Sequence, residues 1–495
     1  MFNRLRWGWL TLVGAALIAL AGCGDDEDLP RLRFIHASPD TPAVDIYVNE
    51  QEQPLFTNVS YGMTTEVMRY SASPLTLHLR PAGGGRELPP LLSSQPFDME
   101  KNVQVSFVAA GERGSSTSEA ASRILPIRES FAPPAPGRLR VRIVHASTDA
   151  PSLNIDLNGD STTEVKELER FTDSGAAGLE LPAQTPIHFR VRGEDPRTEA
   201  LGFTLPPLPE GSTVLVVAMG MLSTASRMET GFSLVVTDTQ RRQARVMPDP
   251  VVYVLNASEA AEPLDIFLAN EEQAGELGFG ALSPPILISP GVTSLDVFAT
   301  APTSIRPAGP ALFSHSTAEL KSGERYLLVA TGVPRSPGNV RSVFTLTSYA
   351  EEFAQDPDQA RLRFIHASAS APVMDAAPLG DTQLLPRDVL FNDVAYTQTS
   401  EPEGVPLPPL ELTLGVRPAA EDTGVEPTRF DITPAPLPGE GLFGVLAGTF
   451  GSGGTSQLRL ILVSTATTPW SVEELTPDSS GSGGEGAGTG LPDER

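Results

Sequence analysis

A single cysteine, Cys23, stands in a chain of 495 residues, so no intramolecular disulfide and no cysteine metal cluster can hold the fold together. Stability must come from packing. Histidine is scarce as well: six are spread along the chain, and there is no His-Glu-x-x-His pair, no Gly-x-Ser-x-Gly elbow and no cysteine nucleophile with partners. Basic residues are few, 35 against 61 acidic, for a net charge of −26. Such a surface repels phosphate backbones, which excludes nucleic acid as a partner. Aromatics make up 6% and form no stacking run, leaving Tyr47, Tyr61 and Tyr70 as the candidates for contact with a sugar. Long helical patterns are also missing, and 47 prolines and 44 glycines point to a β protein with many turns.

What is present is one phrase written four times. It reads Arg-Leu-Arg-Phe-Ile-His-Ala-Ser at 31–38, Arg-Val-Arg-Ile-Val-His-Ala-Ser at 140–147, Val-Tyr-Val-Leu-Asn-Ala-Ser at 252–258, and Arg-Leu-Arg-Phe-Ile-His-Ala-Ser again at 361–368. Taking His36, His145, Asn256 and His366 as one position, the steps are 109, 111 and 110 residues, about one small domain each. In the opening phrase Leu32, Phe34 and His36 alternate with Arg31 and Arg33, the pattern of a half-buried strand. Apolar runs ending on glycine close each unit, at Val103–Gly111, Val214–Gly220, Tyr326–Gly332 and Leu442–Gly448, and read as buried strands. The expected fold is all-β, with four tandem β-sandwich domains of immunoglobulin-like size but without the cysteine pair and core tryptophan of true immunoglobulin domains.

The N-terminus carries an address. Arg4 and Arg6 precede an apolar run from Trp7 to Leu20, then Leu20-Ala21-Gly22-Cys23 and an acidic run from Asp25 to Asp28. The run is short for a membrane span and reads as a cleaved secretory signal. Leu-Ala-Gly-Cys resembles the bacterial lipoprotein lipobox, which implies that Cys23 becomes a lipidated N-terminus anchored in a membrane. Loss of Arg4 and Arg6 then takes the net charge from −26 to −28. The expected divisions are a signal peptide over 1–22, an acidic tether over 23–30, sandwich domains over 31–128, 138–238, 250–349 and 360–472, and a disordered Gly/Ser-rich tail over 473–495. Polar or proline-rich linkers are expected at 129–137, 238–250 and 348–360, the last with one or two helical turns near Ser348–Gln355.

The segment His-Ala-Ser-Pro-Asp-Thr-Pro-Ala-Val-Asp-Ile-Tyr-Val-Asn at 36–49 closely resembles the bacterial domain-of-unknown-function family numbered 4397, and His145 to Asn158 carries the same pattern. Val59-Ser-Tyr-Gly62, Leu77–Gly83 and the Ala-Ala-Gly111 close match it as well. The resemblance implies a β-rich extracytoplasmic domain, often in tandem on envelope lipoproteins, and implies no activity. Two repeats depart from the pattern. The third has Asn256 for histidine, and the fourth reads Asp375-Ala-Ala-Pro-Leu where the first reads Asp45-Ile-Tyr-Val-Asn.

Asp45, Asn154, Asp265 and Asp375 each fall nine residues after the His or Asn. A functional reading pairs His36 with Asp45 as a catalytic or metal dyad. A structural reading has the imidazole bond turn backbone, a role asparagine can also fill and a general base cannot. Because Asn256 occupies one repeat, the structural reading is preferred. His78 and His188 fall on a polar phase and are expected at the surface. Asn154, Asp156, Asn158, Asp160 and Glu164 approach a calcium loop, but position one is Asn, position twelve is Val165, and Asn158-Gly159 suits a hairpin turn.

The expected function is that of a non-enzymatic, lipid-anchored protein of the bacterial cell envelope, exported to the periplasmic side or the surface. Four similar domains on one tether suit multivalent binding or adhesion, with a polysaccharide or an envelope protein as the partner, or simple spacing. Beyond a weak calcium possibility, no cofactor is expected. The alternatives are an envelope hydrolase with a composite site between domains and a purely structural spacer.

Overall fold

A computed structural model describes residues 28–477, except 72, 116, 118, 159–161, 194–199, 239–242, 259–261, 333–342, 381–388, 420–425 and 452–456. The first domain sets the pattern, with β1 (Arg31–His36), β2 (Val44–Val48), β3 (Phe56–Val59), β4 (Met68–Arg69), β5 (Leu77–Pro81), β6 (Leu92–Ser93), β7 (Gln104–Ala110) and β8 (Arg123–Arg128). One sheet has the order β4-β1-β7-β8 and the other β3-β2-β5-β6. All neighbours are antiparallel except β1 and β7, which run parallel from Arg31 opposite Gln104 to His36 opposite Ala109. Leu32 and Phe34 of β1, Ile46 of β2, Leu77 and Leu79 of β5 and Phe107 of β7 interlock between the sheets as the core.

The same two-sheet plan recurs three times, and the parallel pair recurs with it. Arg138–His145 lies beside Thr213–Met219, Val251–Asn256 beside Arg325–Thr331, and Ala360–His366 beside Gly441–Ala447. The chain is therefore all-β among the described residues, a series of tandem β-sandwich domains each with its own core.

The half-buried reading of the opening strand is corrected. In β1 only Arg31 is exposed, and Arg33 is 1% exposed. The cause is a second layer of packing. Ile35 and Val108, on the face of the first sheet turned away from the first core, meet Val144, Leu215, Val217 and Val235 of the second domain. In the same way Tyr253, Leu255, Leu327 and Val329 of the third domain meet Ile365, Phe443, Val445 and Ile461 of the fourth. The domains thus join face to face, first with second and third with fourth. Sheets covered on both faces carry continuous apolar runs, which is why Val214–Gly220, Tyr326–Gly332 and Leu442–Gly448 lack alternation. At about 1.5–3 kcal/mol per buried aliphatic side chain, the six residues at the first junction contribute on the order of 10 kcal/mol, enough to outweigh the desolvation of a paired arginine.

Three expected boundaries also shift. Gln243–Val246, read as linker, is a fifth strand that extends the second domain's sheet beside Ser233–Asp238. Ser348 to Ala350 belong to the strand Thr345–Ala350, and residues 351–355 form no helical turn. Ser471–Leu475, partly assigned to the tail, is a strand paired with Arg459–Ser464, while residues 478–495 lie outside the described residues. The first and last of these are polar edge strands that pair on one side only, so their sequences lack an apolar face long enough to read as a strand.

Candidate functional site

The repeated phrase builds the same corner four times. The backbone N–H of His36, His145, Asn256 and His366 donates to the carbonyl of Met63, Thr172, Ala281 and Gln398 at 2.9–3.1 Å. The carbonyl of each accepts from Gly62, Phe171, Gly280 and Thr397 at 2.7–2.8 Å. These four donors all have positive φ, from 62° to 78°, so a left-handed turn is docked against the strand end. The serine two places after each His or Asn donates to the carbonyl of the glycine closing the last apolar run: Ser38 to Gly111 and Ser147 to Gly220 at 2.6 Å, Ser258 to Gly332 and Ser368 to Gly448 at 2.5 Å. Gly220 has φ +87°, and a Cβ there would lie 2.3 Å from the Gly231 carbonyl oxygen, which accounts for the glycine.

The histidine rings are fully buried and face backbone. Nε2 of His36, His145 and His366 lies 3.2, 2.9 and 2.7 Å from the carbonyls of Pro42, Pro151 and Pro372. A carbonyl only accepts, so Nε2 carries a proton. Burial lowers the pKa of all three, that of His145 to about 4. In the third repeat the Asn256 amide donates to the Leu277 carbonyl at 2.9 Å and accepts from the Ser258 N–H at 3.1 Å, so a neutral group fills the same corner.

The aligned acidic position is separate from this corner. Oδ1 of Asp45, Asn154, Asp265 and Asp375 accepts the N–H of Asn58, Glu167, Glu276 and Asp393 at 2.8–3.1 Å. Those four residues are left-handed, with φ of 51–54°, and sit where the strand register slips. Each is the extra residue of a β-bulge, and the carboxylate or amide satisfies the N–H that the bulge leaves without a ladder partner. Asp45 gives its other oxygen to the Gly83 N–H at 2.9 Å, so its bonds and those of His36 go to different segments of backbone.

A third repeated position, unassigned from the sequence, crosses between domains. Three residues before each His or Asn stand Arg33, Arg142, Tyr253 and Arg363. Arg33 donates to Thr237 Oγ1 and to the Asp238 carbonyl in the second domain, both at 2.7 Å, and pairs with buried Glu129 at 2.8 Å. Arg142 returns the contact, donating to the Arg128 carbonyl in the first domain at 2.5 Å while gripping Asp173 with two bonds. Arg363 donates to the Ala350 carbonyl of the third domain at 2.9 Å, and Tyr253 stacks on Trp470 of the fourth with ring centroids 4.3 Å apart. The available signal was the arginine three places before histidine in three repeats out of four.

Of the calcium-loop candidates, Asp160 lies outside the described residues. Asn154 serves the bulge, Asp156 accepts the Asn158 N–H at 3.1 Å, and Glu164 accepts the Leu157 N–H at 2.8 Å. Among the described residues no group of three or more His, Cys, Asp or Glu is placed to hold a metal ion. Cys23 lies outside the described residues. His188 is exposed, while His78 is half-buried and lies 2.8 Å from Ser93 Oγ.

No curated protein matches this chain. Among solved structures it is similar to the Bacillus anthracis TIE protein, at 8% identity, over 61% of this chain and 50% of that one, with a TM-score of 0.13, too slight a likeness to carry an argument. The chain thus spans half the length of that relative. The pattern of the family described as "Domain of unknown function (DUF4397)" matches residues 30–156 and 250–377. Each match opens at the first strand of one domain and closes in the second strand of its face-to-face neighbour, taking in both partners' His or Asn corners. With just over half of its length matched in these two segments, the chain belongs to the DUF4397 family.

Proposed function

We propose that this is a lipid-anchored, non-enzymatic protein of the bacterial envelope that holds two rigid domain pairs outward as a binding and adhesion module. The observation that carries the reading is the use made of the repeated polar residues. The histidines fasten strand ends, the acidic positions satisfy bulges, and the arginines lock domains together. Repetition here serves rigidity, and a rigid array of similar faces raises avidity for a repetitive ligand such as polysaccharide. The Leu20–Cys23 motif supplies the anchor in this reading.

Two experiments test it. Labelled palmitate incorporates into the wild-type chain in a bacterial host and not into Cys23→Ala; equal labelling of both removes the anchor. Thermal unfolding is then followed against cell-wall fragments and polysaccharides. A rise in midpoint with one glycan class supports binding, and no rise with any moves the assignment to a spacer.

A further inference from the structure

The outer face of the second domain differs in charge from its three equivalents. On the strand Ile187–Arg192 the side chains of His188, Arg190 and Arg192 share the face turned from the core, because Ile187, Phe189 and Val191 fill the core. Across from them, Asn154 stands opposite Arg192 and Asp156 opposite Arg190. Asn154, Asp156, Thr163, Arg190 and Arg192 line a pocket with room of about 100 Å³.

The other repeats have a carboxylate at the Asn154 position. In the first, Asp45 lies opposite Arg80; in the fourth, Asp375 lies opposite Arg417, 3.9 Å from its guanidinium. In the third, Asp265 lies opposite Phe298, with no arginine to balance. Only the second repeat keeps the arginine and replaces the acid with a neutral amide. It adds a second arginine two residues away, and neither guanidinium has a hydrogen-bond or ion-pair partner among the described residues. Asp156 also faces the pocket, its Oδ1 accepting the Asn158 N–H, so among the described lining residues two arginines stand against one carboxylate. In a chain of net charge −26, two neighbouring guanidiniums with no partner among the described residues are suited to a forked oxyanion.

We propose that this pocket binds the anionic group of an acidic saccharide, a carboxylate or phosphate seated between Arg190 and Arg192. The inference rests on the reading of the chain as a binding protein and names the ligand class.

The test is affinity electrophoresis of the full chain in detergent through gels containing polygalacturonate, a phosphomannan or neutral dextran. The site predicts retardation by at least one acidic polymer, weakened by salt, and by no more than a trace in dextran. Which acidic polymer retards the chain distinguishes a carboxylate from a phosphate ligand. Arg190→Gln with Arg192→Gln should weaken retention about tenfold or more. Asn154→Asp should weaken it without disturbing the fold, because Asp45, Asp265 and Asp375 hold the same bulge with a carboxylate. Retention unchanged in both variants overturns the site and leaves the binding reading standing. Equal loss in Arg80→Gln, on the first domain, also overturns it. Absence of retention by every polymer overturns both.

Discussion

The Arg33 guanidinium crosses a domain boundary to donate to the carbonyl of Asp238, 2.7 Å away and 205 residues along the chain. Arg142 makes the reciprocal bond to Arg128, so the first two domains meet about an approximate twofold relation in which the same repeat position clasps the partner's last strand of the shared pattern. Arg363 to Ala350 and Tyr253 on Trp470 do the same work at the other junction.

Removing Arg33 strands a carboxylate. Glu129 has 1% side-chain exposure and lies 2.8 Å from the guanidinium. Arg33→Met should cost about 3–5 kcal/mol, because an unpaired buried charge remains, while Arg33→Met with Glu129→Met should cost much less. Urea unfolding of the two variants checks the sign of this coupling.

Acid should loosen the corners. The buried histidines have folded-state pKa values below the ordinary 6.5, His145 at about 4, so the unfolded chain binds more protons between those values. Their stabilising contribution is complete above pH 6.5 and is lost as pH falls toward 4, by up to about 3 kcal/mol for His145. Replacing His36, His145 and His366 with asparagine, the residue already at 256, should flatten the fall in unfolding midpoint across that window. A slope unchanged by the triple replacement contradicts the assignment.

Gly220→Ala and Gly137→Ala separate crowding from conformation. Both glycines have positive φ, +87° and +73°, but a Cβ at 220 meets the Gly231 carbonyl at 2.3 Å whereas nothing lies within 4 Å at 137. The second change should cost about 1 kcal/mol and the first several times more. Denaturant midpoints of the two single variants give the comparison.

Asp265→Ala should destabilise the third domain by roughly 1–3 kcal/mol, since the N–H groups of Glu276 and Ala301 and the Thr300 hydroxyl all lose their acceptor. Asp265→Asn should be milder, because Asn154 holds the equivalent bulge in the second domain. Amide exchange at Glu276 reads the loss directly.

The tandem period, the strand phase of Leu32 and Phe34 and the separation of His36 from a polar surface were all legible, because each is local and repeats. The second packed face was not. Arg33 reads as a solvent-facing residue by chemistry alone, and its partners Thr237 and Asp238 lie more than 200 residues away. Trp470 stands close to the end expected for the fourth domain, yet its ring closes the third domain against the fourth. The bulge role of Asp45 was also hidden, since a carboxylate nine residues from a histidine suggests chemistry and only the left-handed Asn58 reveals backbone as its target.

Burial of Ile35 tests the face-to-face pairing most directly. Its side chain is 0% exposed, and its packing partners across the junction belong to the second domain. Ile35→Cys in a Cys23→Ser background places one thiol at that junction, and its labelling by a maleimide is timed in native buffer. The paired arrangement predicts labelling no faster than opening of the junction, many orders slower than for a free thiol. Labelling at the free-thiol rate contradicts it.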